Sequence, residues 1–281
     1  TVRPDITNKK YITLEKLDSQ ECPKVETPQF SLSRHQVGAD RLSNVYYMPN
    51  FLPSAYLYEV LLPWLQSIPS CPQPTLEDCS MNSSSALYWT TLRYSQRRVM
   101  MLQSPFPPLI EAVAQALFQS GVTWKDRNRC VENEGSTSSS NHPPNHVLIN
   151  EYQPSMGILP HTDGPEYQDK TATVSLGGSD VILRFTKRLL TDEIGSSSLN
   201  QENRSLDKPI LELVLGGNGS LVVFEKDAYT KHLHSIKDGI FTEKIATEST
   251  NSTETSCVSL NENGVTLIER GYRISLTFRR K

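Results

Sequence analysis

The chain has 281 residues, 37% of them hydrophobic and 21% charged, which is enough apolar material for a packed core. A net charge of −3 excludes a uniformly basic nucleic-acid coat, although it leaves room for a local basic groove. No run approaches the roughly 18 apolar residues of a membrane span, and no N-terminal hydrophobic stretch marks a secretion signal, so neither a membrane protein nor a secreted one is expected. Cys22, Cys71, Cys79, Cys130 and Cys257 are odd in number, scattered and without a C-x-x-C pair. That usage fits idle or buried thiols in a reducing compartment rather than a zinc ribbon or a thioredoxin-type site.

Residues 1–43 mix charge and proline with few spaced hydrophobics and predict a mobile or loosely docked arm. Val45-Tyr46-Tyr47 predicts a short strand ended by Pro49-Asn50. From Ser54, a good N-cap residue, Leu57, Val60, Leu61, Trp64 and Leu65 follow at helical spacing, with a kink or break expected at Pro63. Residues 69–85 predict a loop, and 86–103 two short strands or an ordered loop. Pro107-Pro108 opens a helix with Leu109, Ile110, Val113, Ala116 and Leu117 on one face, stopped by Ser120-Gly121.

Residues 131–145 are polar and low in complexity and predict a loop. Beyond them the periodicity switches to two. Strands are expected at 146–152, 158–162, 171–176, 180–186, 210–215, 220–224, 229–236, 265–269 and 272–279, with polar insertions at 187–208 and 238–262. Many short strands with turn signals at Gly177-Gly178 and Gly216-Gly217-Asn218-Gly219 suggest an antiparallel barrel or sandwich with the N-terminal helices on one sheet.

Three constellations could carry chemistry. His161-Thr162-Asp163 lies in an expected strand, where residues two apart face the same side and can converge on one metal. A non-heme Fe(II) site needs one more histidine, from among His35, His142, His146, His232 and His234. Asn150 and Tyr152 share a strand face and could give a small acid an amide donor and a phenol donor. Arg273, Ser275, Thr277 and Arg279 share one face of the last strand, with Ile274, Leu276 and Phe278 on the other. The two arginines are six residues apart, roughly 20 Å at strand rise, and a five-carbon diacid with a guanidinium at each end can span that distance.

Asn150-x-Tyr152, His161-x-Asp163, a later histidine and Arg273-x-Ser275-x-x-x-Arg279, taken in this order and spacing, resemble the AlkB family of iron and 2-oxoglutarate dioxygenases. The segments Asn145–Tyr152, Pro160–Pro165, Ala228–Ile236 and Arg270–Thr277 look most like its homolog 6 subfamily, over about residues 44–281. The resemblance implies a mainly β (α+β) chain, a double-stranded β-helix or jelly roll with N-terminal helices packed on one sheet. It implies Fe(II) held by His161, Asp163 and His234, since the subfamily pattern around the distal ligand selects His234 over His232. It also implies that Arg273 binds the distal carboxylate of 2-oxoglutarate and that Arg279 supports the end that chelates iron. Asn150, Tyr152 and Ser275 would complete that pocket. Two departures stand out: Ser275 where many AlkB proteins carry asparagine, and Ser235 where glycine usually follows the distal histidine.

The activity so implied consumes O2 and 2-oxoglutarate, releases succinate and oxidises a C–H bond; an N-methyl group oxidised in this way is lost as formaldehyde. AlkB proteins place substrate-recognition loops ahead of the barrel. Tyr88, Trp89, Arg93, Tyr94, Arg97 and Arg98 interleave aromatics and cations there, and could form a nucleotide lid. A core aromatic pair beside a solvated basic turn explains the same residues. The expected partner is single-stranded or damaged DNA or RNA, and the expected setting a monomer in cytoplasm and nucleus. Two other functions fit the same residues: a nucleic-acid-binding protein with little turnover, and a protein hydroxylase or demethylase using the same iron centre.

Overall fold

The computed structural model describes residues 25, 32–71, 87–125, 141–188, 208–246, 259–260 and 265–281. Much of the expected arm, the 69–85 loop and the three polar segments, together with Cys22, Cys79, Cys130 and Cys257, lie outside the described residues. In chain order the first elements are a 3-10 turn Leu32–His35, strand β1 (Val45–Met48), a π-helical turn Tyr56–Leu61 that runs into α1 (Leu62–Ser67), β2 (Thr90–Thr91), β3 (Arg98–Gln103) and α2 (Pro108–Gln119). Then come β4 (Trp124–Lys125), β5 (Asn141–His142), β6 (His146–Tyr152), β7 (Ile158–His161), β8 (Lys170–Leu176) and β9 (Val181–Lys187). The chain continues through β10 (Leu211–Leu215), β11 (Ser220–Glu225), the short helix α3 (Asp227–Thr230), β12 (His232–Ile236), β13 (Thr242–Ala246), β14 (Ser259–Leu260), β15 (Val265–Glu269) and β16 (Arg273–Arg279).

A seven-stranded sheet runs β1-β11-β8-β16-β6-β3-β2, and a four-stranded sheet runs β10-β9-β12-β7. Their pairings are antiparallel. The strand alternation explains how the sheets face. Ile274, Leu276 and Phe278 of β16, with Val147 and Ile149 of β6, point to the helix-covered side. There they join Leu57, Leu61, Trp64 and Leu65 around α1, and Ile110, Val113 and Leu117 of α2. Between the two sheets lies a second apolar cluster that includes Val45, Tyr47, Val222, Phe224, Leu183, Phe185, Leu213 and Ile236. Two facing antiparallel sheets with helices on the outer face of the larger one are the mainly β, jelly-roll-type architecture expected from the sequence. Among the described residues no helix is long and apolar enough to cross a membrane.

Pro63 does not break the helix. It lies where the π-helical turn passes into α1, so the irregularity expected at this proline takes the form of a change of helix type. Of the arm, expected to be mobile or loosely docked, the described end is docked: Leu42 and Val37 are buried in the intersheet cluster, and Val37 N–H donates to the Val45 carbonyl at 2.9 Å. One expectation needs correction. Within the 238–262 segment, Thr242–Ala246 is a strand rather than an insertion. It pairs with β15 in a third sheet, β13-β15-β14, and buries Ile245 against Ile182, Val214 and Ile268. The outer face of the four-stranded sheet carries Ile182 and Val214 and needs such a cover.

Candidate active site

Backbone register assembles the site. In the β16–β6 pairing Arg273 lies opposite Tyr152, Ser275 opposite Asn150, Thr277 opposite Leu148 and Arg279 opposite His146. Cross-strand partners share a face, so the two constellations read separately from the sequence form one polar patch inside the fold. Strand β8 extends it: Thr173 lies opposite Thr277, and Thr173 Oγ1 donates to Thr277 Oγ1 at 3.2 Å.

At one end of the patch, β7 and β12 pair His161 with His234 directly across the ladder, with their ring centroids 4.2 Å apart. Asp163, two residues beyond His161, places Oδ1 3.8 Å from His234 Nε2 and 4.0 Å from His161 Nε2. One ligand atom from each of the three residues lies within 4.8 Å of the others. The surroundings orient all three. His161 Nδ1 donates to the Leu159 carbonyl at 2.8 Å, which leaves Nε2 with its lone pair facing the cluster. Thr171 Oγ1 donates to Asp163 Oδ2 at 2.8 Å, and Arg279 Nη2 donates to Asp163 Oδ1. The His234 ring packs 4.9 Å from that of Phe224, and burial lowers its pKa to about 4 despite the attraction of Asp163. A neutral imidazole is the form that binds metal. Two imidazole nitrogens and a carboxylate oxygen brought this close are a donor set that would fit Fe(II).

The ends of β7 and β12 are held by a clamp. Gly157 sits so close to the end of β12 that a Cβ there would fall onto the carbonyl oxygens of Ile236 and Lys237. Its N–H donates to Asp238 Oδ1 at 2.7 Å, and Arg270 donates to the carbonyls of both Met156 and Lys237. Arg270 is in turn paired with Glu243 at 3.3 Å, and Glu243 with Arg184 at 2.5 Å.

At the other end of the patch Arg273 is 2% exposed, with its Cζ 4.0 Å from the centroid of the Tyr152 ring. Its Nε and Nη2 have no hydrogen-bond partner among the described residues. Burial pulls its pKa below the ordinary arginine value, and the nearby cations Arg270 and Arg97 push in the same direction. A buried guanidinium with two unspent donors suits a carboxylate that arrives with a ligand.

Residues 44–279 match the profile of the 2OG-Fe(II) oxygenase superfamily. The chain belongs to this superfamily. It is also similar to a zebrafish (Danio rerio) protein named "Probable RNA/DNA demethylase ALKBH6", with 32% identity over 135 residues, 48% of this chain and 52% of that one. The chain thus spans about half the length of this curated relative. Among solved structures it is similar to OsALKBH1, at 13% identity and TM-score 0.44 over 84% of this chain and 98% of that one. It is similar as well to a Pseudomonas putida prolyl-4-hydroxylase, at 13% identity and TM-score 0.40 over 85% and 93%.

As a 2OG-Fe(II) oxygenase the chain brings His161, Asp163 and His234 together and leaves the other histidines out. His232 opens β12, where its Nδ1 donates to the Asp227 carbonyl at 2.8 Å. Asn150, Tyr152, Arg273, Ser275 and Arg279 line one face, as expected. The segment from Tyr88 to Arg98 divides. Arg93 is exposed, and Tyr88 and Tyr94 are 40% and 93% exposed. Trp89 must be corrected: it is fully buried, and its indole N–H donates to the Leu65 carbonyl at 3.1 Å, so it cannot meet a base. Arg98 must be corrected too. It is committed to Glu151, with Nη2 donating to Oε1 at 2.5 Å, on the helix-covered side of β6. Arg97 points the other way, into the polar patch. Its Nη1 donates to Asn150 Oδ1 at 3.2 Å and to the Tyr152 hydroxyl at 3.3 Å. Sequence reasoning missed Thr171, Glu151 and the Leu159 carbonyl, because only strand register shows what they face.

Proposed function

We propose that this chain is an Fe(II)- and 2-oxoglutarate-dependent dioxygenase of the AlkB type that oxidatively demethylates alkylated nucleic acid. The observation that carries the proposal is the His161–Asp163–His234 cluster at one end of a polar face whose other end is Arg273. In this reading those three residues hold the iron, and Arg273, Arg279, Asn150, Tyr152 and Ser275 hold the 2-oxoglutarate. When bound, iron with 2-oxoglutarate and O2 supplies the oxidation of a C–H bond, with succinate and CO2 as co-products. The protein's own part is orientation. Leu159 fixes the tautomer of His161, and Thr171 and Arg279 hold the Asp163 carboxylate toward the imidazoles. Burial keeps His234 neutral. Arg273 gives the distal carboxylate a partner that water does not reach.

The choice of nucleic acid is supported by the name of the zebrafish relative and by the exposed Arg93, Tyr94 and Tyr88 ahead of the barrel. A methylated base must leave its stack to reach a site inside the fold, which favours single-stranded or mismatched substrates. The test is succinate and formaldehyde release against a panel of N-methylated DNA, RNA and peptides. Turnover with a methylated oligonucleotide, lost in Asp163→Ala, is expected. Turnover with a methylated peptide alone would overturn the choice of substrate.

A further inference from the structure

Arg97 is held by neutral groups, Ser95 Oγ at 3.3 Å, Asn150 Oδ1 at 3.2 Å and the Tyr152 hydroxyl at 3.3 Å, with no carboxylate paired to it among the described residues. Its guanidinium carbon lies 5.4 Å from the centroid of the Tyr152 ring, and that of Arg273 lies 4.0 Å from the same centroid. Two cations thus converge on one aromatic ring. Glu151, next to Tyr152 in sequence, faces the opposite side of β6 and is engaged by Arg98 and by the Tyr272 hydroxyl. Arg273 keeps two buried donors without partners among the described residues. Like charges held against one ring in a partly dry patch favour an anionic ligand beside them. Arg97 also accounts for the pose of Asn150: by donating to Oδ1 it leaves the amide N–H2 of Asn150 free to donate into the patch.

Resting on the 2-oxoglutarate pocket proposed above, we infer that Arg97 is a second cation for the distal carboxylate of the cosubstrate. It comes from the β2–β3 hairpin, whereas Arg273 comes from β16. The carboxylate then ties the barrel to the hairpin that carries the exposed Arg93 and Tyr94. The backbone of that hairpin is closed by Leu92 N–H donating to the Arg97 carbonyl at 2.8 Å and by Gln96 N–H donating to the Leu92 carbonyl at 2.9 Å. An occupied pocket therefore steadies the hairpin, and the cosubstrate is sensed before substrate arrives.

The test is equilibrium binding by calorimetry with Mn(II) in place of Fe(II), for wild type, Arg97→Gln and Arg273→Gln. Two acids are compared: 2-oxoglutarate, and 2-oxopentanoate, the same five-carbon chain with a methyl in place of the distal carboxylate. Arg97→Gln is expected to weaken 2-oxoglutarate about tenfold or more, the scale of one lost charged hydrogen bond, and to leave 2-oxopentanoate unchanged. Amide exchange at Leu92 and Gln96 should slow on adding 2-oxoglutarate in wild type and not in Arg97→Gln. Equal weakening of both acids would make Arg97 a structural prop for Asn150 and Tyr152 and overturn the inference. Unchanged 2-oxoglutarate binding in Arg97→Gln, with strong loss in Arg273→Gln, would overturn it while sparing the pocket. Unchanged binding in both variants would overturn the pocket itself.

Discussion

At the scale of single residues, the histidines show how placement separates chemistry from bystanders. His232 and His234 stand two apart on one strand, yet only His234 faces Asp163. Replacing Asp163 by alanine should abolish tight Mn(II) or Fe(II) binding in calorimetry, whereas His232→Ala should leave it within about twofold. Equal loss in the two variants would make His232 the distal ligand. The depressed pKa of His234 also has a consequence for stability. An unfolded chain binds a proton at that ring below about pH 6.5, and the folded metal-free chain refuses it until about pH 4. The stability this gives is present above pH 6.5 and is lost as pH falls toward 4. Between pH 7 and 5 the metal-free protein should lose about 2 kcal/mol through this group, read by urea unfolding. His234→Gln should be correspondingly flatter. Arg98 offers a further check. Its removal leaves the Glu151 carboxylate buried, with Tyr272 its remaining hydrogen-bond partner among the described residues, so Arg98→Ala should destabilise the fold by about 3 kcal/mol. The salt dependence of oligonucleotide affinity should not change. A flattened slope with intact stability would return Arg98 to the substrate.

At the scale of elements, the strands with a clean period of two were legible, and the rest followed from contacts that a sequence does not display. Residues 146–152 form a strand with the expected bounds, because Val147, Ile149 and Glu151 alternate against Leu148, Asn150 and Tyr152. The helix opened by Pro107-Pro108 likewise runs to Gln119 and stops at Ser120-Gly121. The strand Thr242–Ala246 was hidden because Thr, Glu, Lys and Ala read as solvated chain; its pattern makes sense only once Glu243 is seen between Arg184 and Arg270. Between a lid and a core place for Trp89 the sequence could not decide for a similar reason, since its socket is the end of α1, distant in sequence. The Gly157 clamp was invisible for want of register. Its importance can be measured. Gly157→Ala should push β7 off β12, lower the midpoint of thermal unfolding by several degrees and weaken Mn(II) binding, because His161 is carried on β7. Loss of stability with full metal affinity would show that β7 holds its ligand without the clamp.

At the scale of the whole molecule, two cores divide the labour. The helix-side cluster of α1 and α2 fixes the outer face of the seven-stranded sheet, and the intersheet cluster fills the space between the sheets beside the polar patch. Polar strand faces therefore survive inside the fold without unfolding it, because the opposite face of each strand is fully engaged. Strand β16 is the middle member of the seven-stranded sheet, bonded to β8 on one side and β6 on the other. It works as a ruler that is graduated only in pairs of residues. Sliding either arginine by one position would turn it into the apolar core, and sliding it by two would shift it about 6.6 Å, far more than one methylene adds to a diacid. Mutational drift along this strand therefore cannot retune the pocket for an acid one carbon longer or shorter. That preference has to be set by side-chain reach, at Arg273, Arg279 and the residues beside them.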